Sequence, residues 1–267
     1  GWWRRFGHWR WRRRSWLDTV CDNRVPMFYD AIIPAGGTLK EEFASQVGTA
    51  SKALIKLEDV TLLARTINAL RASGLINRIV VIGGDEVLAE AKSAGADIVL
   101  PEGSTGPENI FKGIAALEGG SNPPTRIVLA TCDLPFLTGE LIASFVSSCP
   151  AEHNFCVPLV GEKSFHDRFP GTDATFVALR DNVWTTGCLY VFDIAALKKA
   201  KPHIERVFEN RKSKFGMAKL LGPVFVVKWL TKSLSLTDVE NKIRSLLGCS
   251  GKAIVNSAPE FAFDIDY

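Results

Sequence analysis

From residue 29 onward, short runs of consecutive apolar residues alternate with stretches in which apolar residues recur every three or four positions. Tyr29–Pro34 (YDAIIP) reads as a buried strand, followed by the turn Ala35-Gly36-Gly37. Leu63, Ile67 and Leu70 form the stripe of a helix. A second strand is predicted at 78–82 (RIVVI), ended by Gly83-Gly84, and then a helix at 86–94 stopped by Gly95. A short strand at 97–100 and a helix at 109–118 follow. Residues 126–130 (RIVLA) make a fourth strand that runs into Thr131-Cys132-Asp133-Leu134-Pro135, with the next helix starting near Thr138. Continuously apolar strands separated by helices predict an α/β fold, a mostly parallel sheet covered on both faces. Ligands of such sheets gather at the carboxyl ends of the strands, the edge that holds both the glycine turn and Asp133.

The second half is less regular. Strands are predicted at 155–160, 175–179 and 189–192, with Gly171 and Gly187 as breaks. Helical stretches follow at 194–201, 204–211 and 215–221. The apolar run 224–230 (VFVVKWL) predicts a buried helix or strand, favoured over one that dips into a membrane interface or clasps a partner. Thr237 and Glu240 have the spacing of a capping box, a hydroxyl and a carboxylate that satisfy free helix amides. They open a helix whose buried face is Val239, Ile243, Leu246 and Leu247. Residues 253–256 and 261–265 are expected to close the chain as two strands. No internal repeat or low-complexity linker is present.

Composition changes this picture at one end only. The chain has 267 residues, 46% hydrophobic and 23% charged, with a net charge of +3. Residues 1–16 hold five of the seven Trp and six Arg, with no acid; from Met27 on the net charge is −2. The body is therefore near neutral, which argues against a wholly basic nucleic-acid-binding surface. The first 26 residues are expected to be an extension outside a single folded domain at 27–267, or a wrong start. A tail that binds anionic membranes or nucleic acid is the alternative. No run of about 18 apolar residues that could span a membrane is present, nor a secretory h-region. The six widely scattered cysteines read as reduced thiols of a cytoplasmic protein.

Several residues could carry chemistry. Gly36 and Gly37 follow a buried strand, where backbone amides can approach an anion closely. Neither G-x-x-x-x-G-K-[ST] nor G-x-G-x-x-G is present. Lys52 lies ahead of an apolar run and could reach back to the glycine turn as a point charge for phosphate. The polar segment 38–49, with Lys40, reads as a loop over a ligand. Asp133, at a strand end and two residues before a stiffening proline, is placed to hold Mg2+. Asp264 and Asp266, two apart, would share a face if they lie on one strand, and either could be a second ligand. The four histidines lack ligand spacing with one another, His166-Asp167 reads as a surface pair, and Lys198, Lys199 and Lys201 as a solvated helix face.

Together, Ile32-Ile33-Pro34-Ala35-Gly36-Gly37, Ser51-Lys52, Asp133-Leu134-Pro135, Gly106-Pro107 and Phe263-Asp264-Ile265-Asp266 resemble the MobA-like NTP transferase domain family. The resemblance spans about residues 29–267. The stretches Phe169-Pro170-Gly171 and Trp184-Thr185-Thr186-Gly187-Cys188-Leu189 resemble a subgroup with no settled substrate. The resemblance implies a three-layer, Rossmann-like fold of the nucleotide-diphospho-sugar transferase type with an elaborated, helix-rich second half. It implies an Mg2+-dependent transfer of NMP from an NTP to a small phosphorylated acceptor, with pyrophosphate released. Ala35, Gly36, Gly37, Lys52, Gly83 and Gly106 would bind the nucleotide, Lys52 and Asp133 would be catalytic, and Asp133 with Asp266 would hold the metal. The sequence departs from the pattern in three places. An arginine is missing after the glycine turn, where Leu39-Lys40 stands. Ser51 replaces a proline, and Cys188 an asparagine. Family members also continue past the position of Tyr267 into a further helix, so the resemblance implies truncation at that end. A nucleotide-binding or regulatory protein that has lost turnover is the alternative the missing arginine leaves open. An NDP-sugar transferase is disfavoured, because D-x-D would be expected at Asp133-Leu134-Pro135.

Overall fold

The computed structural model describes residues 28–211 and 213–265. The Trp/Arg-rich segment, Met27 and Asp266 therefore lie outside the described residues. Strand β1 (Tyr29–Pro34) forms as expected and is followed by the glycine turn. Residues 38–49, read as a loop, contain a short helix, α1 (Glu41–Val47), with two acids in its first turn and Gly48 in the left-handed region at its end. A small hairpin, β2 (Lys56–Leu57) with β3 (Val60–Thr61), precedes α2 (Leu62–Ala72). Then come β4 (Ile76–Gly83), α3 (Asp85–Ser93), β5 (Ile98–Pro101), α4 (Gly106–Glu118), β6 (Arg126–Ala130) and α5 (Gly139–Ser148).

These strands lie in the order β5, β4, β1, β6, all parallel. Alternation along β1 divides the core. Ala31 and Ile33 pack with Leu63, Ile67 and Leu70 of α2, Val87 of α3 and Ile142 of α5. Ile32 faces the other way, to Ile114 and Leu117 of α4 and to Leu197. The fold is thus three layers, helices on both faces of the sheet. Gly113 lets α4 sit close to β1, because a Cβ there would fall 2.9 Å from Ile32 Cγ2. That closeness brings the first turn of α4 to the glycine turn.

The second half extends the same sheet. β7 (Phe155–Gly161) and α6 (Glu162–Arg168) precede β8 (Val177–Ala178), which is shorter than the expected strand at 175–179. Between β8 and β10 (Leu189–Asp193) lies β9 (Val183–Thr186), which the pattern did not show. β10 inserts antiparallel between β6 and β7, and β9 continues along the same edge of β7. β11 (Gly251–Val255) pairs parallel with the opposite edge of β7. The sheet is therefore mixed as well as mostly parallel.

The helices depart from expectation in instructive ways. Residues 194–211 hold a single helix, α7 (Ile194–Asn210), with Pro202 inside it rather than at a break. α8 (Lys214–Leu221) and α9 (Pro223–Leu230) follow. The run 224–230 is helical but not buried. Val224, Val227, Trp229 and Leu230 are exposed and Phe225 and Val226 half-buried, because α9 packs on α8 and no further layer among the described residues covers it. α10 (Leu236–Leu247) starts two residues earlier than expected, and its capping box is Ser235 with Asp238 rather than Thr237 with Glu240. Asp238 is held there by Lys228 Nζ at 2.7 Å, while Glu240 accepts from Ala253 N. Val239, Ile243, Leu246 and Leu247 are half-buried rather than fully buried. Residues 261–265 are not a strand. A 3-10 turn at Pro259–Phe261 drops the Phe261 ring into the core beside Phe145, and the chain continues irregularly.

Candidate active site

The site forms where the parallel strands end. Ala35 N donates to Ile82 O, fixing the start of the glycine turn, while Gly36 and Gly37 are exposed. Neither adopts a positive φ, so glycine here serves close approach rather than a special conformation. The chain leaves through α1 and returns alongside itself. Leu39 N donates to Ala50 O, Thr38 bridges Ser51, and Lys52 N donates to Gly37 O. This return places Lys52 against the turn. Its Nζ reaches Asp133 Oδ2 at 2.7 Å, the two side chains being 14% and 13% exposed. Asp133 Oδ1 is buried and accepts no hydrogen bond among the described residues.

Three backbone bonds lock distant segments around Asp133. Thr131 N donates to Cys188 O, Cys188 N donates to Phe261 O, and Ile265 N donates to Asp133 O. Gly187 makes this possible, since a Cβ there would lie 2.6 Å from Phe261 Cβ and 2.7 Å from Pro158 Cγ. Asp264 comes beside Asp133 in this way. Both carboxylates act on the Cys188 thiol, which burial and, next, these two negative charges together push up to about 12. Burial likewise pushes the Cys132 thiol up to about 12 and the Tyr190 phenol upward. Both site thiols are therefore protonated at neutral pH, which argues against a thiolate nucleophile. Asp264 is at the site without needing a strand, and Asp266 lies outside the described residues.

The other expected nucleotide contacts sit on the same edge. Gly83 adjoins Ala35 O and packs against Val87. Gly106 opens α4 behind the N-cap Thr105, and Asn109 of that helix is buried with Oδ1 accepting from Gly103 N at 2.6 Å. Lys40, near the position where the family pattern has an arginine, is exposed at the N-cap of α1. The sequence reading missed Glu102. Its carboxylate lies across the glycine turn, where a Cβ on Gly36 would collide with Oε2, and it also flanks Gly84. An acid directly after β5, at the edge that carries Asp133, was the available signal. On the far side of Asp264 a cleft of about 680 Å³ opens, lined by Asp264, Cys188, Trp184, Thr185, Thr186 and Leu236 among others.

A lysine and a carboxylate thus pair beside an open glycine turn at the ends of parallel strands, the edge at which α/β sheets bind their ligands. Solved structures agree on the fold. A hypothetical transferase from Thermus thermophilus is 31% identical, with a TM-score of 0.79 over 90% of this chain and 98% of that one. Two structures at 14% identity share the architecture with a TM-score of 0.53. One is a nucleotidyl transferase from Methanothermobacter thermautotrophicus, covering 90% of this chain and 92% of that one. The other is 4-diphosphocytidyl-2C-methyl-D-erythritol synthase from Anaerococcus prevotii, covering 90% and 91%. No curated protein matches the chain. The model of the MobA-like NTP transferase domain matches residues 31–247, so the chain belongs to that family and is a nucleotidyltransferase.

Proposed function

We propose that the protein transfers an NMP from an NTP to a small phosphorylated acceptor, with Mg2+ at Asp133. The observation that carries this reading is the Lys52–Asp133 pair beside the exposed glycine turn, with Asp133 Oδ1 buried and unpartnered. A buried carboxylate oxygen without a donor suits a hard divalent cation, and Asp264 supplies a second carboxylate beside it. Asp266 remains a candidate for the same role. When bound there, Mg2+ would neutralise phosphate charge.

The amides of Ala35, Gly36 and Gly37 would take the NTP phosphates, flanked by Gly83 and Gly106. Glu102, an acceptor only, would bind hydroxyl or N–H groups of the nucleoside. An acceptor phosphate oxygen then bonds to the α-phosphorus as the α–β bridging P–O bond breaks, and pyrophosphate leaves with the bridging oxygen. Lys52 offsets the charge that develops on it. A phosphate monoester is already an anionic nucleophile, so positioning replaces a dedicated base. The cleft beyond Asp264 is the place for the acceptor, with the hydroxyls of Thr185 and Thr186 in its lining.

The test is pyrophosphate release with each of the four NTPs, Mg2+ and a panel of phosphorylated sugars, polyols and cofactor precursors. Acceptor-dependent release that Asp133→Asn abolishes supports the reading. Tight NTP binding without turnover on any acceptor would replace it with that of a nucleotide-binding protein.

A further inference from the structure

Among the described residues, helices α8 and α9 leave an apolar face uncovered. Pro223, Val224, Val227 and Leu230 recur at three- and four-residue steps and so share one side of α9. Val224 is 71% exposed, Val227 57% and Leu230 67%, and no residue of α9 is buried. Trp229 beside this side is 52% exposed, and Phe215 of α8 is 82% exposed. Scattered exposed apolar residues are ordinary, but a contiguous group marks a contact surface.

Charge says what kind of contact. Residues 211–232 contain six Lys and Arg and no Asp or Glu, in a body whose net charge from Met27 is −2. Lys219 and Lys232 are exposed, and Lys242 of α10 brings its Nζ to Gly222 between the two helices. Lys228 is spent on Asp238, which ties α9 to α10. Two copies meeting through this face would oppose like charges. An apolar helix side with a tryptophan at its flank and lysines around it matches instead the boundary between acyl chains and anionic headgroups. At eight residues α9 is about 12 Å long, enough to lie in that boundary. No helix among the described residues is long and apolar enough to cross a membrane.

We propose that the α8–α9 arm docks the enzyme on an anionic lipid surface. The side chains of Val224, Val227 and Leu230 enter the acyl boundary, and Lys219, Lys232 and Lys242 meet the phosphates. The arm is carried between the two rims of the active site. Phe208, near the end of α7, packs against Gly106, and Leu236 and Val239, at the start of α10, line the cleft that holds Asp264. Docking therefore holds that cleft close to the lipid surface.

The test uses the full chain, sedimented with phosphatidylcholine vesicles made with or without phosphatidylglycerol. Binding is expected only to the vesicles containing phosphatidylglycerol, and to weaken with added salt. The variant Val224→Asp/Val227→Asp/Leu230→Asp should bind at least about tenfold more weakly. Lys219→Glu/Lys232→Glu should also lose about tenfold or more. Both variants should keep the melting temperature and NTP affinity of the parent, because all five positions are exposed and outside the site. The Trp/Arg-rich first 16 residues are present in every chain compared, so equal sedimentation of parent and both variants would overturn the proposal. Absence of binding by the parent would do the same. So would self-association of the parent that the aspartate variant abolishes without any vesicle binding.

Discussion

Lys52 Nζ and Asp133 Oδ2 form an ion pair of 2.7 Å between the return from α1 and the end of β6, shielded on most of both side chains. The pair holds each group in the position its proposed role needs, and leaves Asp133 Oδ1 open. Asp133→Asn keeps the shape and removes the charge; kcat for pyrophosphate release should fall at least about a hundredfold. Lys52→Met strands the carboxylate without its cation, and should cost stability as well as rate. Rate assays and thermal melts on the two variants separate these effects. A Lys52→Met protein with parental kcat would remove the lysine from the mechanism.

Glu102 offers a second test, because its carboxylate lies over the glycine turn. A charged hydrogen bond lost from a bound nucleotide costs about one to two powers of ten in affinity. Glu102→Ala should therefore raise KM for the NTP about tenfold or more and leave kcat within about threefold. Comparing NTPs with their 2′-deoxy forms shows whether its partner is the ribose or the base. Unchanged KM for all four nucleotides would place Glu102 outside the nucleotide site.

Gly187 closes the ring of backbone bonds that draws the Phe261–Ile265 stretch to Asp133. A methyl group there meets the Phe261 backbone and side chain and the Pro158 ring, none of them the free end of a flexible side chain. Gly187→Ala should lower stability by about 1–3 kcal/mol, as overpacking does. It should also reduce activity more than a remote change of equal stability cost. Denaturant unfolding and rate assays on this variant and a remote control read both effects.

What was legible in advance was what one strand end carries locally. The apolar runs of β1, β4 and β6 and the punctuation after them placed the glycine turn and Asp133 on one edge, and Lys52 was legible as a charge able to reach back to that turn. Glu102 follows β5 in the same manner and was missed only because it belongs to no motif. The rest depends on partners far away in the chain. β9 and the irregular end at 261–265 are defined by bonds to β7 and Cys188, which no local pattern encodes. The helix α9 shows a different limit. Its apolar run predicts a helix as well as a strand, and burial of that run depends on whether a layer exists to cover it. At α10 two hydroxyl–acid pairs had capping-box spacing, and Lys228, which reaches Asp238 from α9, marks the pair that forms.

That pair yields a pH prediction. Hydrogen bonds from Lys228 and from Ser235 lower the Asp238 carboxyl from its ordinary 3.8 to about 2. A carboxyl lowered in the folded state adds stability that is present above its unfolded pKa and is lost as pH falls toward the folded one. The contribution of Asp238 should thus be complete above about pH 5 and vanish near pH 2. Melts of parent and Asp238→Asn should differ at neutral pH and converge as pH falls through that window. A constant difference across the range would show that the charge of Asp238 is irrelevant to the cap.

The last prediction concerns the segment before β1. Tyr29 N donates to Leu75 O, and the Tyr29 ring is buried in the core with Ile76 and Val146. The strand is thus anchored from its first residue by the sheet itself, and the family match begins only at residue 31. The glycine turn and the Lys52–Asp133 pair are at the opposite end of β1, beyond Pro34. A chain that starts at Met27 should therefore keep the melting temperature within a few degrees and bind NTP as the full chain does. Circular dichroism and nucleotide titration on the two proteins decide it. Loss of folding or of nucleotide affinity would give the first 26 residues a part in the domain.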